Sequence, residues 1–138
     1  MREVYDEVRN LWIAATPEEI VRQTWLKRMI GNLGYPRQLF AVEKELKTLP
    51  HLQSSSELIP DRRADIIFFS PHTFSPLILI ECKAGKLSSL ALEQALGYNT
   101  FVRATYVALV SEKEVIFYHQ EQELHFMPSY EQLKKVPT

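Results

Sequence analysis

Two very apolar segments that each carry charges at one end constrain this chain more than any other feature. Residues 63–69 read R-A-D-I-I-F-F, and residues 77–83 read L-I-L-I-E-C-K. Both contain continuous apolar runs, which are typical of strands covered on both faces at the centre of a layered α/β sheet. A charge at the end of such a strand costs roughly several kcal/mol unless it is paired or binds a metal. The pattern therefore predicts a buried sheet with a functional group of charges at one edge.

Three charged residues define that edge. Asp65 lies near the start of the first segment, and Glu81 and Lys83 close the second. Because successive strand side chains alternate between faces, Glu81 and Lys83 are expected on one side and Cys82 on the other, as an apolar filler. A divalent metal would explain why charges stand at the ends of such apolar strands.

The composition is that of an ordinary globular protein. The chain has 138 residues, of which 46% are apolar and 24% charged, and we expect a single domain over residues 1–138 with its core at about 16–120. The formal net charge is -1. This is not the profile of a protein coated with cations for nucleic acid, so DNA binding must come from a local basic patch or from a partner subunit.

Cysteine content and hydropathy indicate a cytoplasmic protein that does not enter a membrane. The one cysteine excludes an internal disulfide and a cysteine-rich zinc site. The longest apolar run is far shorter than the roughly 20 residues that a membrane helix needs. Residues 1–10 are charged throughout and lack the apolar centre of a signal peptide.

A strong helix start follows the first fifteen residues. Residues 1–15 have apolar residues at helical spacing and predict a short leading helix, or an arm that packs on the domain. Thr16 can cap the next helix, Pro17 suits its first position, and Glu19 completes a capping box. This helix is expected to run to about Leu33, before a Gly-Tyr-Pro sequence that ends it.

The remaining pattern alternates strands with one further helix. We predict strands at 39–46, 63–70, 77–83, 105–110 and 115–119, a polar loop at 51–60, a helix from Ser88 or Ser89 to about Phe101, and a short helix at 128–135. The segment 39–46 is also compatible with a short helix. A three-stranded meander followed by a crossover helix indicates a mixed sheet with helices on its faces.

With these elements in order, the chain resembles the PD-(D/E)xK nuclease superfamily, and more narrowly the N-terminal domain of type I restriction enzyme R subunits (HsdR). The resemblance rests on R-A-D ending at Asp65, E-C-K at 81–83, Q-A-L-G-Y at 94–98 and the opening P-E-E-I-V-R-Q at 17–23. It covers about residues 16–115. It implies a restriction-endonuclease-like α/β fold of three layers, with a central mixed sheet flanked by helices.

The same resemblance implies a Mg²⁺-dependent DNA endonuclease that hydrolyses phosphodiester bonds, with Mn²⁺ as an alternative ion. Asp65, Glu81 and the backbone carbonyl of Cys82 would bind the metal, whose preferred ligands are hard oxygens. Lys83 would position or deprotonate the attacking water and offset developing charge. Gln94 would also act in catalysis.

A fourth metal ligand, an acid from the first helix, is common in this superfamily. We expect it to be Glu19, which shares a helical face with apolar residues and therefore points inward. Glu18 is the fallback. The alternative is that both acids only stabilise the positive end of the helix dipole.

A second set of residues would contact the substrate. Gln94 and Tyr98 are four residues apart on one helical face, and the resemblance places them beside the metal site. The alternative is that they border the core. Arg63 is a further candidate for phosphate binding. Arg62 and Arg63 could contact phosphate or pair with acids, and a solvated pair is the simpler interpretation. Asp61 follows a proline but precedes the strand, so Asp65 is preferred.

Two further acids stand outside this prediction. Glu43 and Glu45 would share one face of a strand. We expect that face to be exposed or at the sheet edge, and not to form a second metal site.

Two alternatives to a restriction-type endonuclease remain open at this stage. One is a catalytically silent or partner-dependent module that binds DNA or protein on the same fold. The other is a structure-specific repair or resolvase nuclease. The expected partners are DNA, restriction-modification or helicase subunits and a second copy in a homodimer, since a chain of this size and charge offers little surface for a duplex.

Overall fold

A six-stranded mixed sheet lies at the centre of the computed structural model, which describes residues 2–53 and 58–135. In chain order the elements are β1 (Glu3–Asp6), β2 (Leu11–Ala14), α1 (Pro17–Lys27), β3 (Phe40–Glu45), β4 (Arg63–Phe69), β5 (Pro76–Cys82), α2 (Ser89–Val102), β6 (Tyr106–Val110), β7 (Val115–His119), β8 (Gln122–Leu124) and α3 (Tyr130–Lys134). Helix α1 continues as a π-helical turn over Arg28–Asn32. Single 3₁₀ turns cover Arg37–Leu39 and Leu46–Thr48.

The strand order explains where the one helical crossover must occur. The sheet runs β3-β4-β5-β6-β7-β8. All neighbouring strands are antiparallel except β5 and β6, which are parallel and are connected through α2. A parallel pair needs a long crossover connection, and α2 supplies it. The predicted mixed α/β sheet is confirmed.

Helices cover both faces of the central strands. On one face, Val21 and Trp25 of α1 pack with Ile66 of β4 in the larger core cluster, which also includes Leu133 of α3. On the other face, Val102 of α2 belongs to a second cluster with the neighbouring β4 and β5 residues. The continuous apolar runs thus mark strands that are buried on both sides, and the three-layer arrangement is confirmed.

The ends of the two long helices follow from local side-chain chemistry. The Thr16 hydroxyl accepts a hydrogen bond from the Glu19 N–H at 3.2 Å, and Ser88 accepts one from Ala91 N–H at 3.1 Å. Gly34, with a φ of 78°, follows the end of the first helix. Both caps match the prediction. The predicted capping box does not form, because the Glu19 carboxylate binds arginine side chains and not the backbone N–H of Thr16.

The described residues 2–15 contain a β-hairpin, so the predicted leading helix is wrong and the arm alternative holds. Strands β1 and β2 pair in antiparallel register. Asp6 causes the turn, because its carboxylate accepts hydrogen bonds from the backbone N–H groups of Val8 and Arg9 at 2.8 and 3.0 Å. Such local bonds compete with helix formation. Asn10, at a φ of 57°, completes the turn.

One smaller difference concerns β8, which the sequence pattern does not predict because this strand is short, polar and exposed. The strand predicted at 39–46 is confirmed as Phe40–Glu45, between two 3₁₀ turns, and the helix alternative is wrong. Of the predicted loop at 51–60, residues 54–57 lie outside the described residues. None of the helices in the described part of the chain has the length and apolar character that crossing a membrane requires.

Candidate functional site

Asp65 and Glu81 lie side by side where β4 and β5 separate. Backbone pairing of the two strands reaches Ile66 and Ile80, one residue short of each acid. Glu81 Oε2 accepts a hydrogen bond from the Asp65 backbone N–H at 3.0 Å, and Asp65 Oδ2 accepts one from the Cys82 N–H at 2.8 Å. Beyond the last backbone pair, the side chains of the two acids therefore hold the strands together. This is the edge of the sheet at which the sequence predicted a group of charges.

The outer oxygen of each acid faces an arginine. Arg22 of α1 donates from Nη2 to Asp65 Oδ1 at 3.2 Å, and Arg62 donates from Nη2 to Glu81 Oε1 at 2.7 Å. All four carboxylate oxygens thus accept a hydrogen bond from nitrogen, two from backbone amides and two from guanidinium groups. The negative charge of the pair is balanced within the protein itself.

Glu81 is the acid with the perturbed ionisation. Its side chain is only 3% exposed. Burial and the neighbouring charge of Asp65 raise the pKa of Glu81 to about 7, against the opposing effects of Arg62 and Lys83. Burial disfavours the charged form, and one guanidinium does not fully compensate for it. Near neutral pH this carboxyl group is therefore divided between its protonated and ionised forms.

Glu19 is the buried acid at the start of α1, and Glu18 is exposed. The inward orientation expected for Glu19 is confirmed. Its Oε1 accepts a short hydrogen bond from Arg22 Nη1, and its Oε2 accepts one from Gln23 Nε2 at 3.0 Å. Because Arg22 also binds Asp65, Glu19 is linked to the strand acids through a guanidinium and does not contact them directly.

The β1–β2 hairpin contributes a second arginine to this network. Arg9 contacts Asp6 at 2.6 Å and both Glu19 and Glu43 at 3.2 Å. Glu43 also lies 3.5 Å from Arg22. The expectation that Glu43 belongs to an exposed edge face is therefore only half right. β3 is an edge strand, but Glu43 has a left-handed backbone (φ 52°) and its carboxylate turns toward the arginines.

Sequence reasoning missed these two arginines. One signal was present for Arg22, which follows Glu19 by three residues and so shares its helical face. Nothing comparable pointed to Arg9, because its partners come from other elements and depend on the hairpin turn.

Lys83 lies one residue beyond the end of β5. Its backbone N–H donates to the Val110 carbonyl at 2.8 Å, which keeps the residue beside the parallel neighbour β6. Within the described part of the chain, no hydrogen bond or ion pair fixes its ammonium group, although its charge lowers the pKa of Glu81. Lys83 is therefore near the acids with its amine free to move.

Cys82 is buried against α1, as expected for an apolar filler. Burial raises the pKa of its thiol, so the side chain stays neutral. Only the backbone carbonyl of this residue remains as a candidate ligand.

Arg62 connects the acids to α2, so the preferred interpretation as a solvated residue is wrong and the alternative of pairing with an acid is confirmed. Its Cζ lies 3.1 Å from the centroid of the Tyr98 ring, so a guanidinium that binds Glu81 also stacks on an aromatic face. The Arg62 side chain is only 28% exposed. Gln94 is exposed one turn before Tyr98 on the same helix. Tyr98 thus reaches the site through Arg62, while the side chain of Gln94 is exposed and forms no hydrogen bond among the described residues.

Arg63 and Asp61 lie on the outside. Arg63 is 59% exposed and pairs with Glu45 at 3.1 Å rather than with the buried acids. Asp61 is 95% exposed beside Lys47, at 3.8 Å. The preference for Asp65 over Asp61 as the acid of the site agrees with this placement.

A protein-family model described as type I restriction enzyme R protein N terminus (HSDR_N) matches residues 17–137. The chain belongs to this family. The resemblance inferred from the sequence motifs is thereby confirmed at the level of the family. The match begins at the first residue of α1, so the β1–β2 hairpin and Arg9 precede the region that it covers. No curated protein matches the chain.

The donor atoms of this HSDR_N chain suit a hard divalent ion. Mg²⁺ is commonly bound by one or two carboxylates and keeps several waters, and Asp65 and Glu81 are two adjacent carboxylates. Cys82, whose backbone N–H binds Asp65, would add its carbonyl. Among the residues described, no three His, Cys, Asp or Glu side chains are grouped so as to hold a metal. The fit is therefore to a two-carboxylate site, from which Glu19 is separated by Arg22.

Proposed function

We propose that this HSDR_N domain is a nuclease that hydrolyses phosphodiester bonds of DNA with Mg²⁺ or Mn²⁺. The observation that supports it most is that Asp65 and Glu81 lie side by side at the ends of two central strands, where each carboxylate accepts a hydrogen bond from a backbone N–H of the other strand. A lysine, Lys83, follows the second acid by two residues. The family takes its description from the N terminus of the R protein of type I restriction enzymes, and DNA as the substrate agrees with that description.

Asp65, Glu81 and the Cys82 carbonyl would hold the ion, which when bound polarises a phosphate and lowers the pKa of a water. Glu81 must lose its proton to bind, and its raised pKa places that step near neutral pH. As an ammonium, Lys83 would position the attacking water or offset charge on the phosphate, and it would accept the proton of that water only after losing its own.

The substrate side of the site would be formed by α2 and the residues before β4. Tyr98, which stacks on Arg62, and Gln94 share one face of α2, and Arg63 adds an exposed positive charge. With a net charge of -1, the chain has few cations to spare for a duplex. We therefore propose that a second copy or a restriction-modification subunit completes the grip on DNA.

Metal binding tests the first half of the proposal. Isothermal calorimetry with Mn²⁺ and Mg²⁺ compares the native chain with Asp65→Asn and Glu81→Gln, and Asp61→Asn is the matched exposed control. We expect millimolar or tighter binding by the native chain and the control, and a loss of about a hundredfold in the other two. Equal binding by all four chains would contradict the site.

Cleavage tests the second half. Linear, circular and branched DNA are incubated with the native chain, Lys83→Met and Lys86→Met, with sedimentation analysis to record oligomeric state. Lys86 is an exposed lysine three residues further on and is the matched control. We expect Lys83→Met alone to lose at least about a hundredfold in rate. A preference for branched DNA would favour a repair or resolvase nuclease.

A second candidate is a catalytically silent or partner-dependent binding module. The observation that favours it is the pairing of both outer carboxylate oxygens with arginines, which balances the charge without a metal. Binding of the metal with no cleavage of any DNA form, alone or with added partner subunits, would support this second function over the first.

A further inference from the structure

The two arginines on the outer carboxylate oxygens stand where a metal bound to the same carboxylates would also lie. Arg22 binds Asp65 Oδ1 and Arg62 binds Glu81 Oε1. Each carboxylate oxygen has two lone pairs, so a metal does not exclude the arginine outright. A divalent ion bound to either acid would nevertheless repel the guanidinium beside it, because both are cations. Metal binding is therefore expected to weaken one of these two arginine–carboxylate pairs, and the surroundings of Arg22 and Arg62 indicate which one.

The ion pair between Arg22 and Asp65 cannot easily break. Its side chain is 6% exposed and lies within 4 Å of three acids, Glu19, Glu43 and Asp65. Moving it would leave the buried Glu19 without a principal partner, and an unpaired buried charge is strongly unfavourable. Arg22 is thus a permanent countercharge of the site.

Arg62 is held in a different way. Its side chain is more exposed than that of Arg22, and Glu81 is the one acid with which it forms an ion pair in the described residues. Its second anchor is the face of the Tyr98 ring. A guanidinium that stacks on a ring keeps its N–H groups at the edge of its plane, where they can donate to another anion. Arg62 can therefore leave Glu81 without leaving the site.

We propose that Arg62 is a positioning residue that exchanges partners. In the metal-free chain it balances Glu81, and when a divalent ion takes Glu81 it donates to a phosphate oxygen from its stack on Tyr98. The stack keeps the guanidinium within reach of both partners. This inference rests on the proposed function, since it requires that Asp65 and Glu81 hold a metal and that a phosphate follows.

The exchange predicts that loss of Arg62 strengthens metal binding. Mn²⁺ calorimetry at neutral pH compares the native chain with Arg62→Met and with Arg37→Met, which removes the same charge from an exposed arginine outside the site. We expect Arg62→Met to bind about tenfold more tightly, the equivalent of one charge-assisted hydrogen bond, and Arg37→Met to stay within about twofold. A residue with a merely structural role would weaken binding when replaced. Arg62→Gln replaces Arg62→Met if the latter does not fold by circular dichroism.

Arg62 is expected to have the opposite effect on DNA, whose phosphates it should help to bind. Binding of a fluorescent duplex oligonucleotide is measured by anisotropy with saturating Mn²⁺, in a Lys83→Met background that prevents cleavage. Arg62→Met should weaken binding about tenfold and lower the slope against salt concentration by about one. Arg62→Lys should recover part of the affinity, because a lysine keeps the charge. It should not recover all of it, because an ammonium group neither stacks on the Tyr98 ring as a planar group nor donates two parallel hydrogen bonds to one phosphate.

The outcomes separate the two proposals. If the native chain and Arg62→Met bind Mn²⁺ equally, or Arg62→Met binds more weakly, the exchange is wrong while the metal site stands. If metal binding tightens but oligonucleotide affinity does not change, the transfer of Arg62 to phosphate is wrong. If neither chain binds Mn²⁺ at millimolar concentration, the proposed function fails and the exchange fails with it.

Discussion

Asp6 and Glu81 are both almost completely buried, yet their ionisation is shifted in opposite directions. Burial alone would raise the pKa of Asp6, but hydrogen bonds from Arg9 and from the Val8 backbone outweigh it, and the pKa is lowered. Burial and the charge of Asp65 raise the pKa of Glu81 to about 7. Burial is common to both acids, so the donors and charges around each one decide the sign.

The difference separates a structural acid from one that is prepared for a ligand. Asp6 accepts three hydrogen bonds from residues within three positions of it, all of them part of one turn. Glu81 has one guanidinium, one backbone amide and a second acid beside it. Strongly perturbed acids that are compensated only in part are frequent at functional sites, which agrees with the role proposed for Glu81.

The largest effect is expected from pH acting on Glu81. Its folded pKa is raised, so between about pH 4.5 and 7 the folded chain keeps a proton that the unfolded chain has lost, and stability falls as pH rises through this range. Replacement by the neutral Glu81→Gln removes this effect. From pH 4 to 8 in metal-free buffer, the free energy of unfolding of Glu81→Gln should increase relative to native by about 3 kcal/mol.

Urea denaturation followed by tryptophan fluorescence gives both curves, and subtracting them cancels the other titrating groups. Asp61→Asn is the control, since an exposed acid should give no such difference. A difference between native and Glu81→Gln that stays constant with pH would show that Glu81 is compensated as fully as Asp6, and the contrast would disappear.

The central strands, the helix caps and the acid pair could be predicted because each depends on signals close in sequence. Continuous apolar runs mark strands buried on both faces, and Thr16 and Ser88 are local caps. The motif residues Asp65 and Glu81 stand at the ends of neighbouring strands, which brings them together in any hairpin of those strands.

The hairpin and the arginine network could not be predicted, because they depend on contacts that no local sequence signal indicates. Apolar spacing in residues 1–15 favours a helix, and only the bonds of Asp6 to its own turn reverse the preference. The pairing of Arg62 with Glu81, and of Arg9 with Glu43, joins residues from separate elements, and many acids in the sequence were equally plausible partners. The raised pKa of Glu81 follows from that tertiary arrangement.

A smaller effect of the opposite sign is expected at Asp6. Asp6→Asn removes a charged acceptor from three donors and leaves Arg9 with one partner fewer, which should lower the free energy of unfolding by about 2 kcal/mol at pH 7. Since the pKa of Asp6 is lowered, its contribution is present above about pH 4 and is lost as pH falls below that value.

Urea unfolding at pH 7 and pH 3 measures this, with Glu7→Gln as the neighbouring control. Glu7 has a loose pair with Arg37 at 3.8 Å, and its replacement should change stability by less than about 0.5 kcal/mol. If Asp6→Asn were as stable as native at pH 7, Asp6 would not be the fully compensated acid of the comparison.

The smallest effect is expected at Arg9, which links the structural acid to the candidate site. Arg9 binds Asp6 within the hairpin and contacts Glu19 and Glu43 outside it, with a side chain that is partly exposed. An isolated two-stranded hairpin is marginally stable in water, so these contacts should hold it on the domain. Arg9→Met should cost about 1 kcal/mol once solvent screening is allowed for.

Amide hydrogen exchange locates this loss. The Asn10 N–H, which donates to the Asp6 carbonyl at 2.7 Å, and the Ala15 N–H, which donates to the Arg2 carbonyl at 2.9 Å, should exchange about fivefold faster in Arg9→Met. Amides of β6 should not change, and Arg37→Met serves as an exposed control. Unchanged exchange at both hairpin amides would mean that apolar packing holds the hairpin in place, and that the compensation of Asp6 is independent of the site acids.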